Sequence, residues 1–252
     1  MNRTRYPKLR EKALSAAQEA GTPSFYIQHK NELDLSLSSF ESSGVIRRCR
    51  TYLDDSRLHP AHGVFHCEKV ALEAGAILQV EGRAKGLDAA VINELMLCAQ
   101  IAGLLHDIKR REENHTVAGS KEASDILRDF PLQEHYKRYI VAAIRNHEAF
   151  REVLESEDDS AKLVSDSLYD ADKFRWGPDN FTVTLWLIID STGISLEKLC
   201  ESFTEKMEGI KMIKKTFRTK TGQKYGPEFI DKGVRIGDEI FREIQYGLAD
   251  NI

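Results

Sequence analysis

Apolar residues in this chain recur every three to four positions over stretches of a dozen residues or more, and clean period-two alternation is scarce. That spacing places apolar side chains on one face of an α-helix and leaves little for a half-buried sheet to use. The pattern predicts helices over roughly 7–20, 43–54, 62–81, 88–108, 116–129, 133–150, 160–173, 180–190, 195–217 and 227–247. The punctuation agrees with it. Gly21-Thr22-Pro23 ends the first helix, Gly82 and Gly86 separate two others, Asp88 stands where the next needs a cap, and Phe130-Pro131 breaks the chain again. The acidic run from Glu152 to Asp159 reads as a solvated loop or frayed helix end. Residues 181–189 fit a buried helix or a strand, and the helices around them decide for helix. The expected fold class is all-α, a single-domain helical bundle over residues 1–252.

Composition narrows the classes of function. The chain has 252 residues, 41% of them hydrophobic and 30% charged, which is enough to bury a sizeable core. A formal net charge of −4 gives nucleic acid no bulk electrostatic attraction. Cys49, Cys67, Cys98 and Cys200 form no CxxC pair, so reduced thiols are expected, with neither a disulfide framework nor a cysteine-zinc site. The first 25 residues carry charges throughout and no apolar core of a signal peptide. The apolar stretch 181–189 is too short to span a bilayer. A cytoplasmic protein with no membrane partner is expected.

Certain polar residues fall on otherwise apolar stripes. Ile92, Leu95, Met96, Ala99 and Ala102 lead one turn further to His106. His66 precedes Val70, Ala74, Ile77 and Leu78. Tyr136, Ile140, Ala143 and Ile144 lead to His147, and Val164 and Leu168 lead to Asp172. His115 precedes Gly119, Ala123, Ile126 and Leu127. A histidine on an apolar face is commonly a satisfied core residue. Five helices each aiming one imidazole or carboxylate along a buried face point instead to a shared divalent cation, because a buried ionised carboxylate needs compensation. Imidazole and carboxylate suit Zn, Mn, Fe, Co and Ni.

The order His66 … His106-Asp107 … Asp172 resembles the H…HD…D signature of the HD-domain superfamily of metal-dependent phosphohydrolases. HGVFHCEKV (62–70), LLHDI (104–108) and LYDADKF (168–174) resemble the segments around those ligands. The resemblance covers about 59–176 and continues faintly through FRTKTGQKYGPEF (217–229), so residues 1–58 and 177–252 are expected as helical extensions of an HD core. HTVAGSKEASDIL (115–127) and IRNHEAF (144–150) resemble the elements that supply two further histidines in six-ligand members. The resemblance therefore implies one or two divalent ions (Mn, Co, Ni, Mg, Zn or Fe) on His66, His106, Asp107, His115, His147 and Asp172, with Asp107 bridging if there are two. Gly63 stands where many relatives carry Asp, and Asn146 where one branch has a second His.

The activity so implied is hydrolysis of a phosphoester or phosphoanhydride of a small substrate, a nucleotide first among them, by a metal-activated water. Asp107 would orient that water. Lys109 and Lys173 would offer positive charge to the phosphate, and Glu148 a proton or a hydrogen bond, although a lysine at a helix end is commonly just solvated. The alarmone-cleaving branch carries HDxxED, and here Arg110 and Arg111 occupy those places, so that substrate is not expected; both arginines are expected at the surface. His59 and His62, in the turns before His66, could hold a metal by themselves, though His62 is first expected at the pocket mouth or as a cap; Cys67 is expected as a small buried residue, Phe174 and Trp176 in packing or against a nucleobase, and the basic run 206–224 as a solvated face. The same ligands hold a di-iron centre in HD-type oxygenases, and a nucleotide-binding regulator with little turnover is a third reading. A homodimer is compatible with the sequence.

Overall fold

The computed structural model describes residues 6–250, and these form twelve α-helices and no strand. In chain order they are α1 (Pro7–Ala20), α2 (Ser24–Gln28), α3 (Lys30–Ser42), α4 (Gly44–Arg50), α5 (Val64–Ala84), α6 (Ala89–Leu105), α7 (His115–Leu127), α8 (Glu134–Arg145), α9 (Asp159–Phe174), α10 (Leu185–Thr192), α11 (Leu196–Ile213) and α12 (Lys220–Asp250). A short 3₁₀ turn, Pro60–His62, leads into α5, and a π-turn, Asn180–Thr184, runs directly into α10. Residues 180–190 are thus helical, as expected, and the helix runs on to Thr192. No helix among the described residues is long and apolar enough to cross a membrane.

The centre is built from α5, α6, α8 and α9, which pack on one another along the predicted stripes: Val70, Ala74, Ile77, Leu95, Ala99, Ala102, Ile140, Ala143, Val164 and Leu168 are all buried. Small residues set the closest approach. A Cβ on Gly103 of α6 would lie 2.5 Å from the Cα of Ala71 on α5, so the two backbones nearly touch there. α3 and α4 cover this centre from the N-terminal side, and α1 and α11 pack against the long α12.

Helix starts explain where several elements begin. Ser43 accepts from the Ile46 amide at α4, Asp158 from Ala161 at α9 and Ser195 from Lys198 at α11. Asp88 takes the N-cap position of α6, but its carboxylate makes no capping bond there. The start of α12 is capped from a distance: Asp170 of α9 accepts from the Thr219 amide at 2.8 Å, and Glu81 of α5 accepts from Thr221 at 2.7 Å. This moves the beginning of α12 well upstream of the predicted position 227 and carries the helix through Pro227.

Two helices, α2 and α3, were not predicted. In α3 the usual pattern is inverted: Ser36 is fully buried and donates to the Leu72 carbonyl, while Leu35 and Leu37 are 50% and 41% exposed. Phe25 of α2 packs edge-on against Phe174 and Tyr225, and Phe174 stacks on Phe229 at 4.1 Å. Phe174 is therefore a packing residue. Cys49, Cys67 and Cys98 are buried and Cys200 is half-buried, all as free thiols.

Candidate metal centre

α6 ends at Leu105, and His106 continues as its C-cap at φ −57° and ψ −38°, one turn beyond Ala102. α8 likewise stops at Arg145, and His147 lies in the turn just after it. Each imidazole donates its Nδ1 hydrogen back to its own helix, His106 to the Gly103 carbonyl and His147 to the Ile144 carbonyl, both at 2.7 Å. That fixes the tautomer and leaves each Nε2 lone pair facing inward, which is how a ligating histidine is commonly oriented.

The inward atoms converge. His66 Nε2 lies 3.2 Å from His106 Nε2. Asp107 Oδ2 is 3.2 Å from His106 Nε2 and 3.6 Å from His66 Nε2, and Asp107 Oδ1 is 3.5 Å from His147 Nε2. Asp172 Oδ1 lies 3.6 and 3.7 Å from His66 and His106. Three overlapping groups have donor atoms within 4.8 Å of one another: His62, His66 and Asp107; His66, His106 and Asp172; and His106, Asp107 and His147.

The donor set fits a divalent cation. Two imidazole nitrogens meeting at 3.2 Å can share one hydrogen bond at most, whereas a divalent ion between them could take a lone pair from each. Asp107 Oδ1 is buried with no hydrogen-bond partner among the described residues; the Arg110 guanidinium faces it at 3.8 Å, too far for a hydrogen bond, so the oxygen can still take a close cation. Burial pushes the Asp107 carboxyl up, but His106, His147 and His62 outweigh it and hold the group well below the carboxylate range. Asp172 is likewise held below the carboxylate range, with burial opposed by Lys173, His106 and His66. Burial depresses His66 and His147, while in His106 it is outweighed by Asp107, which raises the imidazole. Both carboxylates are thus anionic and most of the imidazoles neutral, the states in which they ligate.

The expected ligands His66, His106, Asp107, His147 and Asp172 are brought together. His115 lies at the edge: its Nε2 is 3.9 Å from Asp107 Oδ1, and Arg110 reaches it with Nη1 at 2.8 Å, so it joins none of the three groups. Burial, then the Arg110 charge, lowers His115 to about 4.

Lys173 is buried and donates to Asp172 Oδ2 at 2.5 Å and to the His147 carbonyl at 3.0 Å. Its charge holds two candidate ligands in place. Lys109 departs from expectation, because its ammonium faces Glu112 and Glu122 at 3.7 and 3.5 Å and it is not among the residues bordering the cavity. Arg110, expected at the surface, borders that cavity instead, while Arg111 is exposed and donates to the Leu58 carbonyl.

His62 comes closer than expected, with Nδ1 2.7 Å from Asp107 Oδ2. Its position one turn before His66 was the available signal for that contact. Gly63 has a local reason: Asp55 Oδ1 accepts from the Val64 amide and would sit 2.6 Å from a Cβ at 63.

The centre lines a cavity of about 560 Å³ that Glu148, Trp176 and residues of α10 and α11 also border. Of the basic run, Lys211 pairs with Glu208 and Lys214 with Asp231, and Lys206 borders the cavity. Comparison of the chain with protein-family models, with curated proteins and with solved structures returned no match.

Proposed function

We propose that this protein is a metal-dependent hydrolase of a small organic phosphate ester. The observation that carries the reading is the clustering of His66, His106, Asp107, His147 and Asp172 in overlapping groups of three donors beside a cavity that Arg110 also borders. Anionic carboxylates beside neutral imidazoles make a cation site, and a guanidinium beside it makes the surroundings suited to phosphate. The ordered H…HD…D resemblance adds to the reading, with a nucleotide as its first expectation for the substrate.

A divalent ion held by these residues supplies Lewis acidity, neutralising charge on phosphoryl oxygens and making water a better nucleophile near neutral pH. The chain's own groups do the rest. Asp107 Oδ1, without a hydrogen-bond partner among the described residues, accepts the proton of the attacking water. Lys173 holds Asp172 and the His147 backbone in position. Arg110 presents N–H donors to the phosphoryl oxygens as charge gathers on them. Glu148, bordering the same cavity, supplies the proton that the departing alkoxide takes when its bond to phosphorus breaks.

Elemental analysis of wild type, Asp107→Ala and His147→Ala, combined with phosphate release from p-nitrophenyl phosphate under Mn, Co, Ni and Mg, tests this. The expected result is bound metal and turnover in wild type and loss of both in Asp107→Ala. Equal turnover in metal-stripped protein would refute the reading. Iron with oxygen uptake and no phosphate release would transfer the centre to the oxygenase class.

A further inference from the structure

The cavity beside the donor cluster has two chemically different walls, and they come from different parts of the chain. The loops and helix ends of the centre supply one, with His62, Asp107, Arg110, His147 and Lys173. α10 and α11 supply the other. On α11, Leu199, Phe203, Met207, Ile210 and Ile213 follow one another at spacings of three and four residues, so they share one helical face. They are only 3–5% exposed, yet all border the cavity. A stripe sealed in a protein interior packs to crystal-like density with few voids larger than a water molecule, and about 560 Å³ is far beyond such a void.

The rim carries a second sign. Phe150 borders the same cavity, is 60% exposed and holds a left-handed backbone at φ 61°. That conformation costs a residue with a side chain about 1–2 kcal/mol. An exposed aromatic ring is thus set at the entrance against both solvation and backbone preference.

A nucleobase and its sugar carry many hydrogen-bonding edges, each costing about 1–3 kcal/mol if buried without a partner. The α10–α11 wall answers them poorly. Its one charged contributor to the cavity is Lys206, which is exposed. An aliphatic body asks for no such partners and gains from every methylene buried.

Resting on the phosphohydrolase reading, we infer that the substrate is an amphiphile: a phosphate ester of an aliphatic alcohol, its phosphate at the metal centre and its hydrocarbon body against the α11 stripe.

The test is calorimetric binding of n-alkyl phosphates from ethyl to decyl, of the matching n-alcohols and of adenosine monophosphate, to the full chain with Mn²⁺, alongside phosphate release. The inference expects affinity to rise about fourfold per methylene until the cavity is full, the fold-change that about 0.8 kcal/mol per buried CH₂ gives. Ile188→Asn, where Ile188 of α10 borders the cavity, and Met207→Gln, both checked for folding by circular dichroism, should flatten that slope. A flat series in which ethyl phosphate still binds and is hydrolysed would overturn the inference and leave the hydrolase reading standing. Adenosine monophosphate binding more tightly than octyl phosphate would also overturn it. A rising slope in both phosphates and alcohols with no phosphate release would keep the apolar chamber and sink the hydrolase reading.

Discussion

Arg110 follows Asp107 by three residues in the turn after α6, and its guanidinium reaches His115 with Nη1 at 2.8 Å from Nε2 and 3.2 Å from Nδ1. It therefore occupies the lone pair that His115 would need in order to ligate. Removing it has two separable consequences. Arg110→Ala is expected to raise metal content, since His115 becomes available beside Asp107. It is also expected to lower kcat/KM on phosphate esters by about ten- to a hundredfold, the range of a charge-assisted hydrogen bond of about 1.5–3 kcal/mol. Unchanged kinetics in Arg110→Ala would show that the guanidinium does not meet the substrate.

The same contact sets a pH dependence. An unfolded histidine titrates near 6.5; His115 is lowered to about 4 by burial, Arg110 and His147, against the opposite pull of Asp107 and Glu148. Between those values the unfolded chain binds a proton that the folded protein refuses, so stability falls as pH drops from about 6.5 towards 4. His66 and His147, also depressed, act in the same direction. The urea midpoint of metal-stripped protein should fall between pH 7 and pH 5, and fall less in His115→Gln. An equal fall in both proteins would remove His115 from the explanation.

At the scale of elements, the α5–α6 crossing positions the centre. Gly103 lies against Ala71, and its carbonyl also accepts from His106 Nδ1. Gly103→Ala should therefore cost about 1–3 kcal/mol of stability through overpacking and should weaken metal binding at the same time. Gly209, in the interior of α11 with nothing within 4 Å of its Cβ position, is the contrast. Gly209→Ala should stabilise by about 0.5–1 kcal/mol. Denaturant midpoints of the two variants decide the matter, and a loss of stability in both would mean that helix packing alone does not distinguish them.

The central helices could be read from the sequence because the residues on their stripes are the ones that face the core. α3 could not, because its leucines alternate with serines and the buried member of the set is Ser36, satisfied by Leu72 and Gln100. The start of α12 was hidden by Pro227 and by caps, Asp170 and Glu81, that lie far away in sequence. His66, His106, His147 and Asp172 were legible because each ends or begins an apolar stripe, and Asp107 through the HD resemblance; His115 begins a stripe too, yet it joins none of the donor groups. Arg110 was not, because periodicity says nothing about a turn. For residues 195–217 the sequence predicts only a helix, because a stripe facing a cavity has the same spacing as one facing another helix.

For the molecule as a whole, the candidate ligands come from four separate places: the first turn of α5, the end of α6, the turn after α8 and the last turn of α9. An ion bound there joins elements distant in sequence, and the unfolded chain holds no such site. Binding to the folded state alone stabilises by mass action, about 2.7 kcal/mol when free metal is a hundredfold above Kd. For a chain of this length each kcal/mol moves Tm by about 2–4 °C, so saturating Mn²⁺ or Co²⁺ should raise Tm by about 5–10 °C. EDTA should reverse the rise, and Asp172→Asn should diminish it. Ca²⁺ should do less, since it prefers oxygen ligands and this set is rich in imidazole. The measurement needs no substrate and no turnover, so it tests the centre independently of the chemistry assigned to it. A Tm indifferent to every divalent ion would mean that the converging histidines and aspartates compensate one another through charge alone, and that the cavity beside them serves a ligand and not a metal-dependent reaction.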